Sequence, residues 1–256
     1  WFFIRYADPD VHLRFRVHIS NFEKYGEVLQ LINGELEPLL NQHLISKIQT
    51  DTYKRELERY GDNSMELVET LFFSDSVFVT DMLDMLDADS GGAIRWQMAL
   101  RSVDDFLNDF KLSAEEKYNS ISILSTSFFN EHGGKKELKL TLDNKFRTLR
   151  PQLEDILNNS NDEAKEYYPI LQLINKRSKS NEKIIETILL LNTNNELQLS
   201  INDLLASLLH MNLDRLFMGR NRTNEFVVYD LLARYYKSNL ARLKSASKKE
   251  TTFSAL

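Results

Sequence analysis

A run near the N-terminus, Val11-His12-Leu13-Arg14-Phe15-Arg16-Val17-His18-Ile19, alternates apolar and basic side chains without a break. Period two is the pattern of a β-strand with two unlike faces. Leu13, Phe15, Val17 and Ile19 share one face, which the pattern assigns to the core. His12, Arg14, Arg16 and His18 share the other, which it assigns to water or to a site. Two explanations of the basic face stand side by side. An edge strand can carry cations simply to stay solvated and unpaired. Alternatively, guanidinium forks that donate two parallel hydrogen bonds form an anion-binding surface suited to carboxylate or phosphate.

The strand signal is confined to the start of the chain. Trp1–Tyr6 reads as a first strand, Ala7-Asp8-Pro9-Asp10 as a turn, and the alternating run as the returning arm of a β-hairpin. Ser20 with Glu23 has capping-box spacing, and the helix it opens is expected to stop at Asn33-Gly34. A further strand is read over 43–53, followed by a charge-dense turn, 53–61. From Ser64 onward apolar residues recur at helical spacing. Helices are expected over 64–86, with Asp75-Ser76 as a dividing point, and over 93–110 after an Asp89-Ser90-Gly91-Gly92 loop. Others follow from the Ser113/Glu116 capping box to Gly133-Gly134, and over 136–158, 163–176, 181–191, 200–217 and 225–243. Strands at one end and helices elsewhere predict an α+β fold, mostly helical, with a small antiparallel sheet built from the N-terminal hairpin. Residues 1–244 read as one domain and 245–256, small and Lys-rich, as a flexible tail.

Composition narrows the chemistry. With 256 residues, 42% apolar and 27% charged, the chain can bury a sizeable core. Its net charge of −6 gives no global reason to expect nucleic acid, so the basic strand is a local feature. Cysteine is absent, which excludes disulfides, thiol nucleophiles and thiolate-bound zinc. No signal peptide or apolar run of membrane-spanning length is visible. Trp1, lacking an initiating methionine and lying directly in a strand-like run, suggests a piece of something longer.

Few side chains stand out as chemical candidates. His210, in the apolar run Leu204–Met211, is either a packing residue or a proton-transfer group with a pKa near working pH. His132, beside Gly133-Gly134, reads as a helix C-cap, and His43 as structural or solvent-facing. Arg55 and Arg59, among Glu56 and Glu58, read as a solvated ion-pair cluster unless something else calls on them. His12 and His18 share a strand face, but Arg14 and Arg16 between them would repel a metal, and no metal or organic cofactor is expected. Asn158-Asn159-Ser160 and Asn221-Arg222-Thr223 match the glycosylation pattern, which is common by chance.

Three separated stretches, taken in order, carry more. Trp1-Phe2-Phe3-Ile4-Arg5-Tyr6 with Asp8-Pro9 and His12–Arg16 resembles the opening of the thiopeptide-type bacteriocin biosynthesis domain. This is also the C-terminal, glutamate-eliminating domain of class I lantibiotic dehydratases. Tyr53–Gly61, then Leu71-Phe72 and Asp75-Ser76, is similar to the family's second block. Leu208-Leu209-His210-Met211 with Arg215-Leu216 and Glu225 is similar to its third. Asp62 stands where the family often has a second Gly, and Asp214 where it often has Asn.

The resemblance implies a lyase that eliminates glutamate from glutamylated Ser or Thr of a ribosomal precursor peptide, giving dehydroalanine or dehydrobutyrine. It carries catalytic roles onto Arg14, Arg16, Arg59 and His210, and substrate contacts onto Arg5, His12, Tyr60 and Arg215. The implied partners are the precursor peptide, a glutamylation domain or subunit that uses glutamyl-tRNA, a cyclase, and a second copy in a homodimer, without direct nucleic-acid contact. The implied location is the cytoplasm, with any membrane association through a biosynthetic complex. Two alternatives stay open: a formal cycloaddition forming the pyridine of thiopeptides on the same fold, and a non-catalytic scaffold that holds the precursor peptide.

Overall fold

The computed structural model describes residues 1–86, 91–158, 163, 165 and 167–253, without the side chains of 91 and 246–253. The fold is α+β and mostly helical. Two strands, β1 (Phe2–Tyr6) and β2 (His12–Arg16), form an antiparallel hairpin in the register Phe2–Arg16, Phe3–Phe15, Ile4–Arg14, Arg5–Leu13 and Tyr6–His12. A 3-10 turn (Phe22–Lys24) leads into α1 (Tyr25–Asn41). The short α2 (Leu57–Tyr60) follows, then α3 (Met65–Asp84), α4 (Gly91–Asp109), α5 (Ala114–Glu131) and α6 (Lys136–Asn158). The chain continues through α7 (Tyr168–Thr193), α8 (Ile201–Leu216) and α9 (Asn221–Phe253).

Helix α4 is central, packing on α6, α7, α8 and α9. Helix α5 runs along α9, while α3 packs on α7 and α8 and, with α8, carries β1 on its flank. The core is continuous, from Phe2 and Phe3 through Leu71, Val79, Met98 and Leu107 to Leu209 and Tyr229. By contrast, α1 contributes no buried residue. Among the described residues no helix is long and apolar enough to cross a membrane.

The α5 capping box is present: Ser113 Oγ accepts from the Glu116 N–H, and Glu116 Oε2 accepts from the Ser113 N–H at 2.8 Å. Gly133 and Gly134 stop this helix at φ of 91° and 58°, where L side chains are strained. His132 caps it, its Nδ1 lying 2.8 Å from the Phe128 carbonyl.

Several expected boundaries are corrected. Asn21, not Ser20, caps the first turn by accepting from the Glu23 N–H at 3.0 Å. Helix α1 then runs through both Gly34 and Pro38; a glycine weakens a helix by only about 1 kcal/mol and need not end it. Residues 43–53 form no strand, and the sheet holds β1 and β2 alone among the described residues. Helix α3 passes Asp75-Ser76 undivided, because buried partners satisfy both side chains. The two helices expected over 163–176 and 181–191 are the single α7, whose polar middle residues Arg177 and Asn181 are buried. The start of the Asp89–Gly92 loop, part of the 158–160 glycosylation match and residues 254–256 of the expected tail fall outside the described residues, while the backbone of 245–253 continues α9 beyond the expected helix end at 243.

The largest correction concerns the hairpin faces. The alternation is real, but its polarity is inverted: Leu13, Phe15 and Val17 are exposed, while His12, Arg14 and Arg16 are half-buried. The guanidinium of Arg14 lies 3.7 Å from the centre of the Tyr6 ring, and that of Arg16 lies 5.1 Å from the Tyr53 ring. Aromatic faces hold the arginines inward, and among the described residues neither has a carboxylate within salt-bridge distance.

Candidate active site

Beside β1, a cleft of about 270 Å³ opens between the hairpin, α2 and α8. Each wall has a local reason for its position. Gly61, at φ 76°, ends α2 after one turn; a Cβ there would meet Ser64 Oγ at 2.8 Å. That turn sets Arg59 and Tyr60 at the cleft. Ser200 caps α8 by accepting from the Asp203 N–H at 3.1 Å, and the apolar stripe Leu204, Leu205, Leu208 and Leu209 faces the core. His210, the next residue, is thereby turned toward the cleft.

His210 keeps 29% of its side chain exposed, whereas the Glu225 side chain keeps 4%. The two carboxylate oxygens of Glu225 lie 3.1 and 3.0 Å from His210 Nδ1. A carboxylate only accepts, so Nδ1 carries a proton, and in the neutral ring Nε2 is the nitrogen that keeps its lone pair. Tyr229 donates its phenol to Glu225 Oε1 at 3.0 Å, and Arg222 approaches the other oxygen at 3.6 Å. Burial, followed by the adjacent Glu225 charge, keeps the Tyr229 phenol protonated well beyond the ordinary tyrosine range.

Across the cleft, Arg59 donates through Nε to Ser207 Oγ at 3.2 Å and stands 3.6 Å from Glu56. Arg5 is fastened at its main chain to Asp214 (3.0 Å) and through Nε to the Arg215 carbonyl (3.1 Å). Burial, and then the nearby Arg95 charge, lower its pKa from the usual arginine value. Burial raises the Tyr60 phenol to about 12, so it is a neutral donor at ordinary pH.

The cleft therefore brings together His210, Arg59, Tyr60 and Arg5 from three elements, α8, α2 and β1. Arg14 and Arg16 do not line it directly; each stacks on a ring, Tyr6 or Tyr53, that does. His12 stacks on Tyr6 with centroids 5.4 Å apart and accepts from Arg14 Nε at its Nε2. Arg215 is fully buried beneath the cleft and takes part in a different assembly. It and Arg177 each donate to Asp75 at 3.0 Å, Asn212 donates to the same carboxylate at 2.6 Å, and Arg215 Nε holds the Phe3 carbonyl at 2.8 Å. Two buried guanidiniums thus share one carboxylate, and Arg215 also feels the nearby Asp214 charge. Arg55, outside the cleft, forms a two-pronged pair with Glu69.

Two residues were not assigned a role from sequence. Glu225 lies fifteen positions after its imidazole partner, a spacing that only the approach of α9 to α8 makes meaningful. Asp75 did carry a signal: Val68, Leu71, Phe72, Asp75, Ser76 and Val79 fall on one helical stripe, so the carboxylate had to be buried with partners. Among the described residues no group of His, Asp and Glu is arranged to hold a metal ion.

Comparison with known proteins places this geometry in a family. Residues 1–236 match the family described as lantibiotic biosynthesis dehydratase C-term. The chain is 24% identical over 248 residues to nisin biosynthesis protein NisB of Lactococcus lactis subsp. lactis, covering 93% of this chain and 22% of that protein. It is 37% identical over 117 residues to subtilin biosynthesis protein SpaB of Bacillus subtilis, covering 45% of this chain and 11% of that protein. The chain thus spans about a fifth of the length of NisB and about a tenth of that of SpaB. With the match running over nearly all of its residues, the chain belongs to the lantibiotic biosynthesis dehydratase C-terminal family.

Proposed function

We propose that the chain is a lyase that eliminates glutamate from glutamylated Ser or Thr of a precursor peptide. The observation that carries this reading is the His210–Glu225 pair opening on a cleft shared with Arg59. In the reaction, a base takes the Cα proton, its electron pair becomes the Cα–Cβ double bond, and the Cβ–O bond breaks. Glutamate leaves as a carboxylate, and dehydroalanine or dehydrobutyrine remains. The leaving anion requires charge stabilisation rather than protonation, and fixed guanidinium groups supply it without reorganisation.

His210 Nε2 is the proposed base, and Glu225 stabilises the imidazolium that forms. Arg59 is tethered at Nε to Ser207, with Glu56 3.6 Å from one terminal nitrogen, and its guanidinium fork is the proposed contact for the departing carboxylate. Tyr60 donates to the enolate-like oxygen as the Cα proton leaves. Arg14 and Arg16 extend the same positive field from behind Tyr6 and Tyr53. Arg215 acts as a positioning residue, because it fixes the Phe3 main chain next to Arg5. The protein's partners in this reading are the glutamylated precursor peptide and a glutamyl-tRNA-dependent domain or subunit that loads it. A downstream cyclase and a second copy of the chain complete the proposed set.

The test is to incubate the purified chain with a precursor peptide glutamylated at Ser or Thr and follow its mass. Loss of one glutamic acid per modified site is expected. Binding without mass change would make the chain a scaffold, and ring formation with leader release would make it a cycloaddition enzyme.

A further inference from the structure

The hairpin has one occupied edge and one open edge. On β1, the Phe3 N–H donates to Ser76 Oγ at 3.2 Å, the Phe3 carbonyl accepts from Arg215, and the Arg5 N–H donates to Asp214. Phe3 and Arg5 therefore direct these main-chain groups away from β2. In an antiparallel ladder, opposed residues alternate between pairs that exchange hydrogen bonds and pairs that point outward. Phe3–Phe15 and Arg5–Leu13 are the outward pairs in this register. The N–H and C=O groups of Leu13 and Phe15 consequently lie along the far edge of β2. Among the described residues no third strand and no hydrogen-bonding group pairs with them. The two residues are 61% and 50% exposed, so an apolar row flanks the open edge.

We propose, building on the reading of the substrate as a glutamylated peptide, that an extended segment of the precursor docks on this edge as a third strand. Main-chain pairing with Leu13 and Phe15 would supply sequence-tolerant binding, and side chains of alternate parity would meet two different surfaces. One parity meets His12, Arg14 and Arg16. No carboxylate within salt-bridge distance neutralises either arginine among the described residues, and Arg16 Nε is buried without a partner. That surface complements the free carboxylates of glutamyl esters. The other parity meets Leu13, Phe15 and Val17, with Phe15 backed by Trp1 at 5.5 Å. The favoured segment alternates apolar residues with glutamylated Ser or Thr. Arg14, on the Tyr6 wall of the cleft, links the docking edge to the chemistry.

Two probes separate this proposal from the elimination reading. One is a synthetic peptide alternating leucine with O-glutamyl serine; the other is N-acetyl-O-glutamyl-serine N-methylamide, too short to add a strand. Leu13→Pro removes one outward N–H and leaves the ladder bonds of His12, Arg14 and Arg16 intact, as edge positions tolerate proline. It is expected to lower kcat/KM for the long probe by about tenfold, the loss of roughly one main-chain hydrogen bond, and to leave the short probe unchanged. A folded variant that is unchanged on both probes, or slowed equally on both, overturns the docking proposal.

Amide hydrogen exchange of the wild-type chain gives a second readout, independent of turnover and of the variant's folding. The Leu13 and Phe15 amides should be protected when the long probe is added. If neither probe is turned over but protection appears, elimination fails and docking stands. Absence of protection overturns docking. So does protection that grows with protein concentration in the absence of probe, because the edge would then be taken by a second copy.

Discussion

Glu225 holds His210 by a single ring nitrogen: both carboxylate oxygens lie within 3.1 Å of Nδ1. The carboxylate sits in the α8–α9 interface, where Tyr229 supplies a neutral hydrogen bond and Arg222 a more distant charge. Such an arrangement fixes the tautomer, orients the ring and stabilises its cation, as acid–base chemistry at the cleft requires.

Glu225→Gln keeps the size of the side chain but can present an amide N–H to Nδ1, which favours the wrong tautomer. It is expected to lower kcat for elimination by about 100-fold while changing KM little, the range of a general base contribution. Steady-state rates of dehydroalanine formation measure this, and an unchanged kcat would remove Glu225 from the mechanism. Tyr229→Phe should have a smaller effect in the same direction.

Arg59 is expected to act on the leaving carboxylate. Arg59→Lys retains the charge but loses the planar fork and the Nε tether to Ser207. The expected result is a fall in kcat/KM of roughly 10- to 100-fold, the usual worth of a hydrogen bond to a charged group. Arg55→Lys, altering a neighbouring exposed pair outside the cleft, should leave kcat/KM within about twofold, because exposed ion pairs are worth under about 1 kcal/mol. Similar losses in both variants would argue against a specific role for Arg59.

The buried network under the cleft should dominate stability. Asp75→Ala removes the carboxylate that two buried guanidiniums now share. A loss of about 3–5 kcal/mol is expected, because it leaves buried charge uncompensated. Urea unfolding measures it; a loss below about 1 kcal/mol would show that water or relaxation relieves those charges.

Tyr60 predicts a pH dependence. Its phenol is raised to about 12 by burial, above the ordinary tyrosine value near 10. The folded state thus holds the proton more tightly than the unfolded state. The stability this contributes is fully present below about pH 10 and is lost as pH rises through about 12. Tyr60→Phe should therefore unfold less steeply across pH 10–12 than the parent, with no change in slope between pH 7 and 9. Thermal midpoints across that range decide it, and parallel curves would contradict it.

The α+β class, the hairpin and most helix positions were legible because they rest on local periodicity and caps, such as Ser113 with Glu116. The hairpin polarity was not. Alternation reveals that the faces differ, but which face turns inward depends on Tyr6 and Tyr53, which cover the arginines from other parts of the chain. The unity of α7 was hidden for a related reason: Arg177 and Asn181 look like a solvated break until Asp75, Ser74 and Ser102 arrive as partners. Within the site, His210 was visible as an imidazole out of place in an apolar run. Glu225 was visible only as a neighbour in sequence order, since nothing local reveals that α9 returns to lie against α8.

The central claim is that His210 transfers the proton in a cleft built to release an anion. It is tested most directly by presenting a glutamylated precursor peptide to the wild-type chain and to His210→Ala, while circular dichroism and the thermal midpoint monitor the fold. The expected result is complete loss of glutamic acid from the peptide with the wild type, and accumulation of intact glutamylated peptide with a fully folded variant. Turnover by the folded variant at the wild-type rate would contradict the account.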